Sequence, residues 1–189
     1  MGQTILTPKQ HEFLELAQSD AQIVKHFYLT GGTALAEFYL HHRLSEDIDL
    51  FTEKQEVDQT LTEAFLKKVS SKLHISSIDR SQFMGLFSYH LTYKDGQKLK
   101  VDFNYYPFPR IEPGTKFGKL SVDSLVDVAA NKVHTLFMKP RTRDYMYPSG
   151  VAWDYSGTLN PRISPLYQYI KTFSGQSGDR YKMVSFFDK

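Results

Sequence analysis

Asp47 and Asp49 stand two residues apart in DIDLFT, a run whose alternation reads as a strand from Asp47 to Thr52. That spacing puts both carboxylates on one face and Ile48 with Leu50 on the other. Adjacent anions repel, so solvent, a base or a cation has to neutralise them. A hard divalent cation such as Mg2+, shared with substrate phosphates, is the usual solution. Upstream, His26 to Thr30 reads as a short strand, followed by Gly31-Gly32 and a helix from Thr33 to His42. Strand, glycine turn and helix in that order leave backbone N–H groups where an anion can sit. Alone, Gly-Gly reads as a tight turn and Asp-x-Asp as a solvent-facing strand edge. Asp102 adds a third carboxylate. In KLKVDFNYYPF, Lys98, Lys100, Asp102 and Asn104 share one strand face. If this strand lies beside Asp47–Thr52, the three carboxylates converge as two-metal phosphoryl transfer requires. If it does not, Asp102 is a salt-bridge partner for Lys100.

Several elements must hold these groups. Thr7-Pro8 ahead of KQHEFLELAQ reads as an N-cap, a first-turn proline and a helix. Asp58 to Leu73 places Leu61, Ala64, Phe65, Val69 and Leu73 at helical spacing. Three strand-like runs follow, His74 to Arg80, Leu86 to Tyr93 and Lys98 to Tyr106, the last two flanking a Lys94-Asp95-Gly96-Gln97 turn as a hairpin. Ser121 to Met138 reads as a helix capped by Ser121 or Asp123, and beyond Tyr145 turn-forming residues obscure any element.

A chain of 189 residues, 41% hydrophobic, can bury one main core. No apolar run approaches a membrane span, and MGQTILTPKQ has no signal-peptide pattern, so a cytoplasmic protein is expected. Zero cysteines exclude disulfides, thiolate metal sites and cysteine nucleophiles. Net charge is only +2, but residues 1–93 carry 8 Lys/Arg against 12 Asp/Glu, and residues 94–143 carry 10 against 5. An acidic half beside a basic one suits a polyanionic substrate.

Gly31-Gly32, Asp47-x-Asp49 and Asp102 on a later hairpin strand together resemble the polymerase-β type of nucleotidyltransferase fold. More narrowly, GGTAL, the stretch from Arg43 through Ser45 to Phe51, Lys100-x-Asp102, and Lys132 followed by RTRD resemble the AbiEii/AbiGii abortive-infection toxins over roughly residues 20 to 145. The resemblance implies an α/β (α+β) fold, a mixed sheet flanked by helices. It implies a nucleotidyltransferase domain over residues 1–145 and a short, reduced C-terminal segment over 146–189. It further implies an NTP-dependent transferase acting on an RNA or protein hydroxyl, often the toxin of a toxin–antitoxin pair, some members modifying tRNA 3′ ends.

Carried across residue by residue, Gly31, Gly32 and Thr33 would cradle the β- and γ-phosphates. Asp47, Asp49 and Asp102 would hold Mg2+, and Asp102 would accept the proton of the incoming hydroxyl. Lys132, with Arg141 and Arg143 of the RxRD segment that ends at Asp144, would neutralise the triphosphate, while Arg43 and Ser45 shape the loop ahead of the metal strand. The chain departs from the family after Asp144, where Tyr147 and Pro148 replace a second acidic residue and the 45 residues from Tyr145 are too few for the usual helical bundle. Two other functions stay open: an impaired relative that binds nucleotide or an antitoxin without turnover, and a metal-dependent nuclease.

Overall fold

The computed structural model describes residues 4–41, 43–83 and 85–138, with the side chains of 133–138 outside that description. The chain divides into two units, Met1–Val128 and Ala129–Lys189. The first holds a seven-stranded mixed sheet among the described residues. The α+β arrangement expected from the sequence, a mixed sheet flanked by helices, is what the chain adopts.

Helix α1 (Pro8–Gln18) begins where the sequence places it. The Thr7 hydroxyl accepts from the Gln10 N–H, the Gln10 side chain accepts from the Thr7 N–H, and Pro8 occupies the first turn, where no N–H is needed. Helix α2 (Ala21–His26) has no counterpart in the sequence reading. It starts because the Asp20 carboxylate accepts from the Gln22 and Ile23 N–H groups, and Lys25 and His26 lie in its last turn. His26 therefore ends a helix, and strand β1 is only Tyr28–Thr30. Helix α3 (Gly31–Leu35) follows directly and continues as one π-helical turn, Ala36–Leu40, which His41 closes in the left-handed region at φ 46.

Strand β2 (Asp47–Thr52) alternates half-exposed and buried residues as the sequence demands. Helix α4 (Gln59–Ser70) is capped by Asp58, but it buries Thr62, Phe65, Leu66 and Val69, whereas Ala64 is exposed. The buried stripe is thus rotated from the expected one, and Thr62 enters it because its hydroxyl meets that of Tyr89 at 3.1 Å. Strands β3 (Ile75–Phe83), β4 (Leu86–Tyr93) and β5 (Lys98–Tyr105) form a meander, with β4 and β5 turning at Gly96, φ +83. Short strands β6 (Lys116–Phe117) and β7 (Leu120–Val122) carried no periodic signal. Helix α5 (Leu125–Met138) is shorter than expected: Ser121 lies in β7, and Ser124 accepts from the Asp127 N–H at 3.0 Å as the cap.

Strand order is β3-β4-β5-β2-β1-β7-β6. One sheet face carries the core, including Leu29, Ile48, Leu50, Tyr89, Leu91, Leu99, Val101 and Phe103. Phe27 and Tyr89 meet Phe103 edge-on, and Phe13 of α1 meets Phe65 of α4 the same way. The strands between β4 and β1 are thereby fixed in register by apolar packing on one side, which leaves the other side for chemistry.

Asp123 was a candidate helix cap; it is instead fully buried at the end of β7, accepting the Thr30 hydroxyl at 2.5 Å, while the Tyr39 hydroxyl donates to its backbone carbonyl. Burial, and then the charge of Asp127, pushes its carboxyl up to about 7 in spite of the Thr30 hydrogen bond and Arg110. A folded-state value above the ordinary 3.8 means the fold binds this proton more tightly than the unfolded chain does. That contribution is complete below about pH 4 and is lost as pH rises through about 7, on the order of 4 kcal/mol in all. Thermal melts between pH 5 and pH 8.5 should show the native midpoint falling, and the fall should be much smaller in Asp123→Asn, which keeps an acceptor for Thr30. Equal slopes in the two proteins would contradict the assignment.

Candidate functional site

Four strands place one row of residues across the carboxylate face. β2 and β5 pair in parallel with Asp49 opposite Asp102 and Asp47 opposite Lys100. β1 runs antiparallel to β2 with Thr30 opposite Asp49. Asp123, directly after β7, is joined to Thr30 by its side chain. Of the three carboxylates singled out by sequence, Asp102 is buried at 6% exposure, while Asp47 and Asp49 are half-buried.

The ammonium of Lys100 sits among them. It donates to Asp102 Oδ2 in a short contact and lies 3.5 Å from Asp47 Oδ2. Burial works against its charge, but the hydrogen bond to Asp102 and the fields of Asp102, Asp47 and Asp49 outweigh that and raise its pKa above the ordinary lysine value. Asp102 is therefore both the strand neighbour of Asp49 and a salt-bridge partner of Lys100. Among the described residues no three His, Asp or Glu side chains stand close enough to share a metal ion. The chemistry of the donor set still suits a hard cation. Asp102 Oδ1 is buried with no hydrogen-bond partner among the described residues, and an anionic oxygen left so is costly unless a cation or donor reaches it.

The glycine turn closes on this row. Gly31 has φ +72, and a methyl built on it would overlap the Asp49 carboxylate, so the backbone and Asp49 are packed directly together. A Cβ on Gly32 would stand 2.8 Å from Ser45 Oγ and 3.4 Å from an Arg43 guanidinium nitrogen. Thr33 is buried and its hydroxyl donates to the Asp47 carbonyl, so its side chain is engaged within the fold. Gln10 Nε2 donates to the Ser45 carbonyl at 2.6 Å, tying α1 to the loop that precedes β2. Lys132 is half-buried on α5 within the second unit. Arg141, Arg143 and Asp144, and the segment from residue 146 onward, lie outside the described residues.

The glycine turn and the carboxylate strands lie inside the span matched by a known family: the profile described as nucleotidyl transferase AbiEii toxin, type IV toxin–antitoxin system, matches residues 14–146. The chain belongs to the AbiEii toxin family. Two solved Helicobacter pylori proteins share its fold. JHP933 aligns at a TM-score of 0.58 with 20% identity, covering 94% of this chain and 76% of that one. A second, provisionally assigned as a nucleotidyltransferase, aligns at 0.58 with 21% identity over 95% of this chain and 81% of its own. No curated protein matches the chain. Family and fold together identify an AbiEii-type nucleotidyltransferase, and among the described residues no helix is long and apolar enough to cross a membrane.

Asp123 and Gln10 were not legible as site neighbours. The Thr7-x-x-Gln10 capping pattern is visible in the sequence, but the second bond that Gln10 makes spans 35 positions and has no local signature.

The packing of Gly31 against Asp49 is testable by thermal melts. Gly31→Ala and Gly96→Ala both place a side chain at positive φ, but nothing lies within 4 Å of a Cβ on Gly96. Both should lose roughly 1 kcal/mol of stability to added backbone strain, and Gly31→Ala should lose about 1–3 kcal/mol more from overpacking. The excess should shrink in an Asp49→Ala background. Equal losses for the two glycines would show that the turn does not pack on Asp49.

Proposed function

We propose that this AbiEii-type protein transfers a nucleotide from an NTP to a hydroxyl of an RNA, with tRNA the foremost acceptor and a protein hydroxyl the other, in a Mg2+-dependent reaction. The reading rests on one observation above the others: parallel pairing sets Asp49 beside Asp102, whose Oδ1 has no hydrogen-bond partner among the described residues, against the Gly31 turn. Asp47, Asp49 and Asp102 would have to draw together to hold the ion, which when bound lowers the charge on the triphosphate and steadies the attacking and leaving oxygens. The Gly31-Gly32 backbone would receive the β- and γ-phosphates, with Lys132, Arg141 and Arg143 supplying positive charge to them. Asp102, the most buried of the three carboxylates, would take the proton of the attacking hydroxyl as it bonds to the α-phosphorus and pyrophosphate leaves. Lys100, now salt-bridged to Asp102 and Asp47, would have to give up at least one of those contacts. Membership of a toxin–antitoxin family supports an antitoxin as the genetic partner, and the cytoplasm, where NTPs and tRNA are found, as the place of action.

A second reading is favoured by that same Lys100: a carboxylate set already neutralised by an ammonium suits a nucleotide-binding module without turnover. Incubation with each labelled NTP, tRNA and Mg2+ separates the two. Transfer of label to RNA is expected, abolished by EDTA and reduced roughly a hundredfold or more in Asp49→Asn with little change in melting temperature. Binding of NTP without transfer supports the module, and cut RNA without an NTP requirement supports a nuclease. An Asp49→Asn protein whose fold collapses with its activity would mark that carboxylate as structural.

A further inference from the structure

We infer that Gln10 is a positioning residue for the nucleotide site: its side-chain amide ties the start of α1 to the Arg43–Ser45 loop and so sets where the Ser45 hydroxyl stands over Gly32. The inference rests on the proposed nucleotide reading of the Gly31-Gly32 turn. Gln10 is 1% exposed, and both ends of its amide are engaged. Oε1 accepts from the Thr7 N–H at 2.9 Å, and Nε2 donates to the Ser45 carbonyl at 2.6 Å.

Capping α1 needs only the acceptor, and a glutamate would serve there as well as a glutamine. The donor half is what glutamate cannot supply, and it is directed to a loop distant in sequence. That loop carries Ser45 Oγ to 2.8 Å, and an Arg43 guanidinium nitrogen to 3.4 Å, from the position a Cβ on Gly32 would take. Both side chains therefore lie over the backbone that a phosphate would approach. The same N-terminal segment grips the other side of the turn, since the Ile5 N–H donates to Glu37 Oε2 at 2.8 Å in the π-helical turn after α3. Residues 5–10 thus fix both the helix that leaves the glycine turn and the loop that covers it. A change confined to the Nε2 donor should loosen the loop without unfolding α1.

Two variants of the full chain separate positioning from stability. Gln10→Glu keeps the acceptor for Thr7 and removes the donor to Ser45. Thr7→Ala removes the hydroxyl that caps Gln10 N–H and leaves the Ser45 bond in place. Three measurements apply to each: melting temperature, hydrogen exchange over residues 43–46 without nucleotide, and calorimetric Kd for the Mg2+ complex of whichever of ATP, CTP, GTP or UTP the native protein binds best. Gln10→Glu, which sets an acidic oxygen against the Ser45 carbonyl in a buried site, is expected to melt lower than the native protein, to exchange faster over 43–46, and to bind roughly tenfold more weakly. Thr7→Ala is expected to melt lower with native exchange and native Kd. Native Kd in Gln10→Glu, or equal weakening in Thr7→Ala, overturns the inference alone. A native protein that binds none of the four nucleotides overturns the nucleotide reading and the inference with it.

Discussion

The parallel pairing of β2 with β5 is the constraint on which the site depends. Adjacent strands lie about 4.8 Å apart, and two unit charges at roughly 5 Å repel by about 3 kcal/mol at an effective dielectric of about 20. Setting Asp49 opposite Asp102 is therefore unfavourable taken alone. The arrangement persists because the opposite face of the same strands buries Ile48, Leu50, Val101 and Phe103, and because the Lys100 ammonium stands against Asp102 and Asp47. A one-residue slip between the strands would carry the apolar set into solvent as surely as it would separate the carboxylates. Core and site are two faces of one register.

That coupling accounts for the distribution of polar burial. Asp102, Asp123, Thr30 and Thr33 are all nearly inaccessible, yet each lies within one strand position of the glycine turn or of the carboxylate row. Thr33 holds the Asp47 carbonyl and Asp123 holds the Thr30 hydroxyl, so the ends of β1 and β2 are fixed from both sides. The glycine turn has little freedom left: Asp49 fills the space beside Gly31, and Ser45 with Arg43 fills that beside Gly32.

Much of this was legible in the chain. The bounds of β2, the Thr7 cap and the hairpin turning at Gly96 follow from alternation, capping chemistry and turn residues. The parallel neighbourhood of the Asp47–Thr52 strand and the Asp102 strand, on which the expected carboxylate site was conditioned, is present, with Asp49 opposite Asp102. What local pattern did not carry was long-range. Asp20 gave no warning of a six-residue helix with a single buried residue, Ile23. Strands of two and three residues, β6 and β7, are too short for periodicity, and without β7 Asp123 looked like a helix cap. Thr62 displaced Ala64 from the buried stripe of α4 because Tyr89 waited across the sheet. For Asp123 and Thr62 a partner far along the chain overrode the local signal.

The most direct measurement is a crystal structure of the full chain with Mn2+ standing in for Mg2+ and a non-hydrolysable NTP analogue, reading the metal by its anomalous signal. The account predicts a peak within ligand distance of Asp102 and of at least one of Asp47 and Asp49, the Lys100 ammonium moved off Asp102, and the triphosphate against Gly31 and Gly32. A metal bound elsewhere, with Lys100 still seated on Asp102, would contradict it.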